Sequence, residues 1–260
     1  MKASVVMASF RRAHLLRLGL RSIAQFDYDF PVEIIIVNDG LEDETESVCN
    51  EFKDQLDIKY LFTGHRNRDG IQPRCPGIAL NIGVKQSTGD AIILTCPEIF
   101  HLSNCIKELM VHVYIGRFMV IPESMYFDDD GLFTRVLLGE DEKYTPEHLV
   151  GSLTSGCLGW EAVQMPFLLA IRREEFMAIR GYDEDFTGYA CDDNDLVDRL
   201  KTFGCAYVRA TNTKIVHLYH GKHCDSQAHP EDPKWAHNYK LFCDRKGTPV
   251  RNQGREWGVL

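Results

Sequence analysis

A chain of 260 residues with 44% hydrophobic and 26% charged content has the length and apolar fraction for one large domain with a sizeable core. Its formal net charge of −9 argues against nonspecific partners such as nucleic acid or anionic membrane, because both demand a basic surface. No apolar run approaches the ~18 residues of an integral membrane segment. Arg11, Arg12 and His14 follow the apolar N-terminus, the reverse of a secretory signal, so a cytoplasmic protein is expected.

In chain order, the first half alternates strand and helix signals. Ala3 to Met7 is a β-branched apolar run, read as a buried first strand. Arg11 to Phe26 carries Leu15, Leu16, Leu18, Leu20 and Ile23, a set suited to a helix packed on a sheet. Val32 to Val37 is nearly continuous β-branched sequence, as in a parallel strand covered on both faces. Asn38-Asp39-Gly40 is turn chemistry, and the acidic stretch Glu42 to Glu46 suits a helix start. Ile58 to Phe62 and Ala91 to Thr95 read as strands; between them lie a polar loop, Thr63 to Pro76, and a helix, Gly77 to Gln86. This alternation predicts an α/β fold with a doubly wound, mainly parallel central sheet and ligands at the strands' carboxyl ends. Asp39 and the Thr95–Glu98 segment both fall at such ends and are expected to be neighbours.

The second half is less regular. Arg117 to Ile121 reads as a strand, Phe127 to Leu132 as a hairpin tip, and 139–160 as a long mobile loop over a site. Phe167 to Ile171 is apolar, Arg172 to Arg180 reads as a short helix stopped by Gly181, and Asp192 to Phe203 as a helix with an acidic first turn. Cys205 to Val208 and Lys214 to Leu218 are expected as two short strands, and Trp235 to Cys243 as the helix of a polar tail. The nine cysteines form no CxxC pair and are odd in number, which favours reduced thiols over a disulfide framework.

Four groups of residues have the chemistry of a site. Asp39, after a buried strand, can accept hydrogen bonds from a nucleobase or ribose, or cap the next helix. Glu98 and His101, three apart, would meet on a helical turn or tight loop and share a divalent cation. Asp192, Asp193 and Asp195 at a helix start exceed what capping needs, so one of them is free to act as a general base. His217, His220 and His223 near Cys224 invite a metal, but on a continued strand His217 and His220 would face opposite ways. A complete zinc site from this segment alone is therefore not expected, and one histidine joining distant acids fits better. Arg66, Arg68 and Arg74 are candidates for a diphosphate, or belong to a solvated loop.

In this order the segments resemble the family 2 glycosyltransferases over most of Ala3 to His217. Ser4-Val5-Val6-Met7-Ala8-Ser9-Phe10-Arg11-Arg12 is similar to the opening S-V-V-I-P-T-Y-N-R, and Val37-Asn38-Asp39-Gly40 to V-D/N-D-G-S. Gly77 to Gly83 followed by Gly89-Asp90 is similar to A-R-N-x-G…G-D, with Leu80 where arginine is usual. Gly181-Tyr182-Asp183-Glu184 through Asp192-Asp193-Asn194-Asp195-Leu196 is similar to G-x-D-E-x-F…E-D-x-D-L.

The resemblance implies a GT-A-type domain over 1–220, with a nucleotide-binding half of about 1–100 and an acceptor half of about 101–220. A small antiparallel element is implied within it, and 221–260 is a C-terminal helical tail of the same domain. It implies nucleotide contacts from Ala8, Ser9, Phe10, Arg12, Asp39, Arg74 and Asn81, with Asp193 as catalytic base beside Asp192. The implied activity is inverting transfer from a nucleotide-sugar donor, with UDP the nucleotide that the resemblance favours, to a glycan or glycoconjugate acceptor. Where the family's metal-binding D-x-D falls, this chain reads Thr95-Cys96-Pro97, so Glu98 and His217, helped by His101 or His220, are the proposed ligands of Mn2+ or Mg2+. The departure leaves open a metal-independent enzyme or a non-catalytic nucleotide- or glycan-binding module. A nucleotidyltransferase is disfavoured because Ala8 to Arg12 lacks a phosphate-cradling glycine.

Overall fold

The structure, a computed structural model, describes residues 1–40, 42–64, 75–155, 167–188, 190–221 and 233–260. In its first half Ala3–Ser9 (β1), Ala13–Ala24 (α1), Val32–Asn38 (β2), Thr45–Phe52 (α2), Asp57–Phe62 (β3), Pro76–Gln86 (α3) and Ala91–Thr95 (β4) alternate. The order β3-β2-β1-β4 pairs in parallel throughout. Val5, Ile35 and Ile93 are wholly buried, because α-helices cover both faces of strands that carry β-branched residues on each side.

The second half comprises Ile99–His101 (β5), Cys105–Ile115 (α4), Phe118–Phe127 (β6), Leu132–Leu138 (α5), Pro146–Leu149 (α6), Thr154–Ser155 (β7), Leu168–Arg172 (β8), Arg173–Ala178 (α7), Asp192–Thr202 (α8), Ala206–His217 (β9) and Pro233–Asp244 (α9). Among the described residues the strands form one nine-stranded sheet, β3-β2-β1-β4-β8-β6-β9-β5, with β7 on β6. β8 runs antiparallel to β4 and β6 antiparallel to β8, whereas β9 is parallel to β6. Two reversals restore the direction, so β1, β2, β4 and β9 all end at the same edge. Ser9, Asn38, Thr95 and His217 therefore gather there from four distant parts of the sequence.

Several sequence expectations are corrected. Phe127 to Leu132 is not a hairpin tip: Asp128 turns the chain into α5, accepting from the backbone of Phe133 at 3.2 Å and Thr134 at 2.8 Å, and from the Thr134 hydroxyl. The two strands expected at 205–208 and 214–218 are one, β9, held together by ten-residue β6 through an irregularity at Pro122/Ser124. The 139–160 stretch contains α6 and a 3-10 turn, Val150–Ser152, before leaving the described residues. α4 carries no motif that drew attention, yet its Ile106, Leu109 and Val113 fill the core.

Glu98 and His101 are separated by β5 rather than by a helical turn, and on extended chain a three-residue separation sends side chains to opposite faces. Gly19 in the middle of α1 fixes this segment. A Cβ there would stand 2.8 Å from the Pro97 carbonyl oxygen and 3.2 Å from that of Ile99, so only a bare Cα lets α1 approach the backbone on either side of Glu98.

Gly19→Val is expected to lower unfolding free energy by about 1–3 kcal/mol through overpacking against backbone that has nowhere to go. Urea denaturation checks this, and an unchanged midpoint would show that α1 does not set the position of 97–99.

Candidate active site

The shared edge opens into a cleft of about 340 Å3 lined by Ala8, Phe10, Arg12, Asp39, Leu80, Thr95, Cys96, Glu98, Phe167, Tyr182 and Asp193 among others. This is where an open α/β sheet puts its ligands, because the chain diverges to opposite faces beyond the carboxyl ends of adjacent strands. Ala8 and Phe10 line it while Ser9 between them is wholly buried, its hydroxyl 3.4 Å from that of Thr45, so the alternation of an extended chain divides the three. Asp39 is 4% exposed, and its Oδ1 accepts from the Thr63 hydroxyl at 3.3 Å. The capping role that Asp39 was offered falls instead to Asp43, whose Oδ1 accepts from the Thr45 backbone at 2.9 Å.

In the same cleft as Asp39, three potential metal ligands converge. One ligand atom each from Cys96, Glu98 and His217 lies within 4.8 Å of the others. Backbone pairing brings them together: Ile99 pairs with His217, and the Leu218 N–H donates to the Glu98 carbonyl at 2.8 Å. The His217 ring is packed edge-on by Phe167, with centroids 4.8 Å apart. The strand ends at His217, so His220 is not thrown to the opposite face as a continued strand would require. Its ring stands 5.2 Å from that of His217, and its Nε2 3.8 Å from Glu98 Oε1. Arg12 lies 3.2 Å from His220 Nδ1, and since a guanidinium has only donors, that nitrogen accepts.

His101 does not join this group. It pairs with Ile215, two residues further from the edge than His217, is 2% exposed, and its Nε2 has no hydrogen-bond partner among the described residues. Burial pushes its pKa down to about 4, as for a neutral core histidine.

The acidic run is divided by the first turn of α8. Asp193 lines the cleft and accepts from the Tyr182 hydroxyl at 2.9 Å. Asp192 turns the other way and accepts from the Cys75 thiol at 2.9 Å, away from the cleft lining. Asp195 is bound by Arg199 at 2.6 Å and Arg251 at 3.0 Å, both deeply buried. Asp183 and Asp185 are likewise held by arginines of the C-terminal segment, with Arg251 at 3.1 Å from Asp183 and Arg255 at 2.6 Å from Asp185. Asn81 is part of this bracing: its amide accepts from Tyr182 N–H at 2.8 Å and donates to the Tyr182 carbonyl and to Glu184, both at 2.9 Å. It orients Tyr182 and does not reach the cleft. Arg66, Arg68 and Arg74 lie outside the described residues.

Sequence reading missed Cys96, Tyr182 and Cys75. The signal for Cys96 was present in its place at the end of β4, where a carboxylate was sought and a thiol set aside as one more buried cysteine. Tyr182 could not have been found by spacing, since its ring reaches Asp193 by crossing α3 at Gly77, where a Cβ would lie 2.7 Å from it.

The cleft is electrostatically loaded. Burial raises the Glu98 carboxyl above its ordinary value, against the pull of the Arg12 charge. Burial, then the neighbouring Asp192, raises Asp193 to about 8, opposed by the Tyr182 hydrogen bond. The Cys96 thiol is pushed well up by burial, then by Glu98 and Asp193. Such a set favours a divalent cation, which would take up thiolate, carboxylate and imidazole as ligands and offset their mutual repulsion.

A mixed sheet of this order, with its cleft across β1, β2 and β4, is the GT-A fold of sugar-transferring enzymes. The chain belongs to glycosyl transferase family 2, whose pattern matches residues 4–169. A second pattern, described as the N-terminal domain of galactosyltransferase, matches residues 167–223 and so takes in His217. A prophage bactoprenol glucosyl transferase homolog of Escherichia coli is 30% identical over 139 residues, 52% of this chain and 43% of that protein. Residues 1–349 of Staphylococcus aureus TarS in complex with UDP-GlcNAc superpose with a TM-score of 0.61 at 15% identity, covering 94% of this chain and 66% of that one. A Pyrobaculum calidifontis mannosyltransferase in complex with GDP-Man and Mn2+ gives a TM-score of 0.57 at 15% identity, covering 85% and 57%. The chain spans about half or less of the length of the curated relatives it matches. No described helix is long and apolar enough to cross a membrane.

The raised Asp193 carboxyl has a consequence for stability. Its folded-state pKa lies above the unfolded value of 3.8, so the native chain holds more protons and stability falls as pH rises toward about 8. Without divalent cation, Asp193→Asn is therefore expected to melt above wild type at pH 8, with the difference closing near pH 4. Parallel melting curves across that range would contradict the burial of an ionisable Asp193.

Proposed function

We propose that the protein transfers a sugar from a UDP-sugar to a hydroxyl of a glycan or glycoconjugate, inverting the anomeric centre, with Asp193 as general base. The observation that carries this reading is that a half-buried, hydrogen-bonded carboxylate and a Cys96/Glu98/His217 set share one cleft with Asp39. Asp39 accepts hydrogen bonds from the base or ribose, and the β1 end from Ala8 to Phe10 forms the adjacent wall. Arg12 faces the diphosphate. Cys96, Glu98 and His217 would hold a divalent cation, which supplies positive charge against the nucleoside diphosphate as it leaves. The thiol and imidazole fit such an ion together with Glu98, so no D-x-D is needed.

Asp193 takes the proton from the acceptor hydroxyl as the acceptor oxygen bonds to the anomeric carbon and the bond to the diphosphate breaks. Its raised pKa makes it a stronger base than an ordinary carboxylate, and Tyr182 fixes its orientation. Attack from the α8 side, opposite the diphosphate, gives inversion. UDP is supported by the TarS complex with UDP-GlcNAc, and a divalent ion by the mannosyltransferase complex with Mn2+. The seven described cysteines are all free, which supports a reducing, cytoplasmic setting.

Release of nucleoside diphosphate from a panel of UDP- and GDP-sugars tests the reading. Turnover with a UDP-sugar is expected, and Asp193→Asn should lower it by roughly 10²- to 10⁴-fold while nucleotide affinity stays nearly unchanged. Comparable turnover in that variant would remove Asp193 as the base.

A further inference from the structure

We propose that Cys96 is a direct ligand of the cleft's cation and that its sulfur makes the site prefer a thiophilic divalent ion, Zn2+ or Co2+, over Mn2+ and Mg2+. The inference rests on the cation site of the function proposed above and goes beyond it in the class of ion that the site selects.

Position carries the argument first. Cys96 directly follows β4, at the sheet edge where the ligand-bearing ends converge, and its Sγ lies within 4.8 Å of ligand atoms of both Glu98 and His217. The other described cysteines are placed differently. Cys49, Cys105 and Cys205 are buried in the apolar core, Cys75 is committed to Asp192, and Cys191 and exposed Cys243 belong to no such ligand group. Among the described residues, this is the one group of three ligand-type side chains brought so close.

Preorganisation is the second element. The Glu98 backbone is pinned by Leu218, and His217 by its register with Ile99 and the edge of Phe167. From spacings under 4.8 Å, small rotamer adjustments bring all three atoms within the 2.0–2.3 Å of one ion typical of such ligands.

Donor chemistry decides the ion. One thiolate, one imidazole and one carboxylate form a softer set than the all-oxygen environment that suits Mg2+ and Mn2+. Three protein ligands also leave a fourth position open toward the cleft, as in zinc sites that keep room for substrate. When Sγ binds, its proton leaves to solvent and the thiolate carries one of the charges that the cation offsets. Affinity for Zn2+ and Co2+ should therefore exceed that for Mn2+ and Mg2+ by about tenfold or more.

The test is titration of the full chain with Co2+, read by the sulfur-to-cobalt charge-transfer absorption, followed by competition with Zn2+, Mn2+ and Mg2+. Wild type is expected to develop the band and to lose it to Zn2+ well before Mn2+ or Mg2+. Cys96→Ser should abolish the band, and Cys96→Asp should narrow the Zn2+ over Mn2+ gap by about tenfold. A wild-type chain with no band, a band undiminished in Cys96→Ser, or equal affinities for Zn2+ and Mn2+ would each overturn the assignment.

Alkylation mapping of wild type needs no variant to fold: Zn2+ should protect Cys96, and an unchanged Cys96 rate would also overturn it. A band that forms while no nucleotide-sugar turns over would support the ligand assignment and contradict the donor reading. Turnover with Mg2+ and no band would do the reverse.

Discussion

Crowding half-buried Glu98, Asp193 and Cys96 at one edge of the sheet places groups there that lose hydration and repel one another once ionised. Arg12 offsets part of this at Glu98, yet burial still leaves the Glu98, Asp193 and Cys96 pKa values raised. A fold keeps such an arrangement at a cost in stability, and in the proposed function an entering cation and substrate offset that cost. The rest of the architecture serves that edge: two strand reversals deliver β9 to it, Gly19 lets α1 press on the Glu98 segment, and Phe167 closes against His217.

The C-terminal segment has an equally physical part. Arg245, Arg251 and Arg255 reach back to Asp183, Asp185 and Asp195, while Trp257 enters the main core. These pairs neutralise the acids that flank Asp193 without touching Asp193 itself. Asn252, with a positive φ of 54°, adds hydrogen bonds to the Arg180 and Tyr182 carbonyls, so the Tyr182 turn is held from α3 by Asn81 and from the tail by Asn252. The carboxylate lining the cleft thus sits in a frame where Asp183, Asp185 and Asp195 have arginine partners, which sets those acids apart from the one proposed as base.

Much of this was legible in the sequence because its first half follows local rules. Runs such as Val32 to Val37 identify buried parallel strands, and strand direction then places Asp39 and Glu98 at one edge. The surplus of acids at 192–195 is divided among the Cys75 thiol, the cleft with its Tyr182 hydroxyl, and two arginines. Which of them faces the cleft was set by the Cys75 and Arg251 partners, which lie 117 and 56 residues from their acids and leave no local trace. His101 and His220 show the same limit. Their relation to Glu98 depends on whether the chain after Pro97 is strand or turn, and on where β9 stops, and both are settled by pairing between β5 and β9. Ser9 and Asn81 belong to motifs that resemblance ties to nucleotide binding, but burial turns both side chains to bracing.

The cleft across β1, β2 and β4 is proposed to bind a nucleoside diphosphate together with a divalent cation. Thermal melting of the full chain against UDP, GDP and other nucleoside diphosphates, each with and without divalent cation, tests it most directly, because a ligand of the native state raises the melting temperature by mass action. A rise with UDP that requires the cation is the expected result. No rise with any nucleoside diphosphate, with or without cation, would contradict the account.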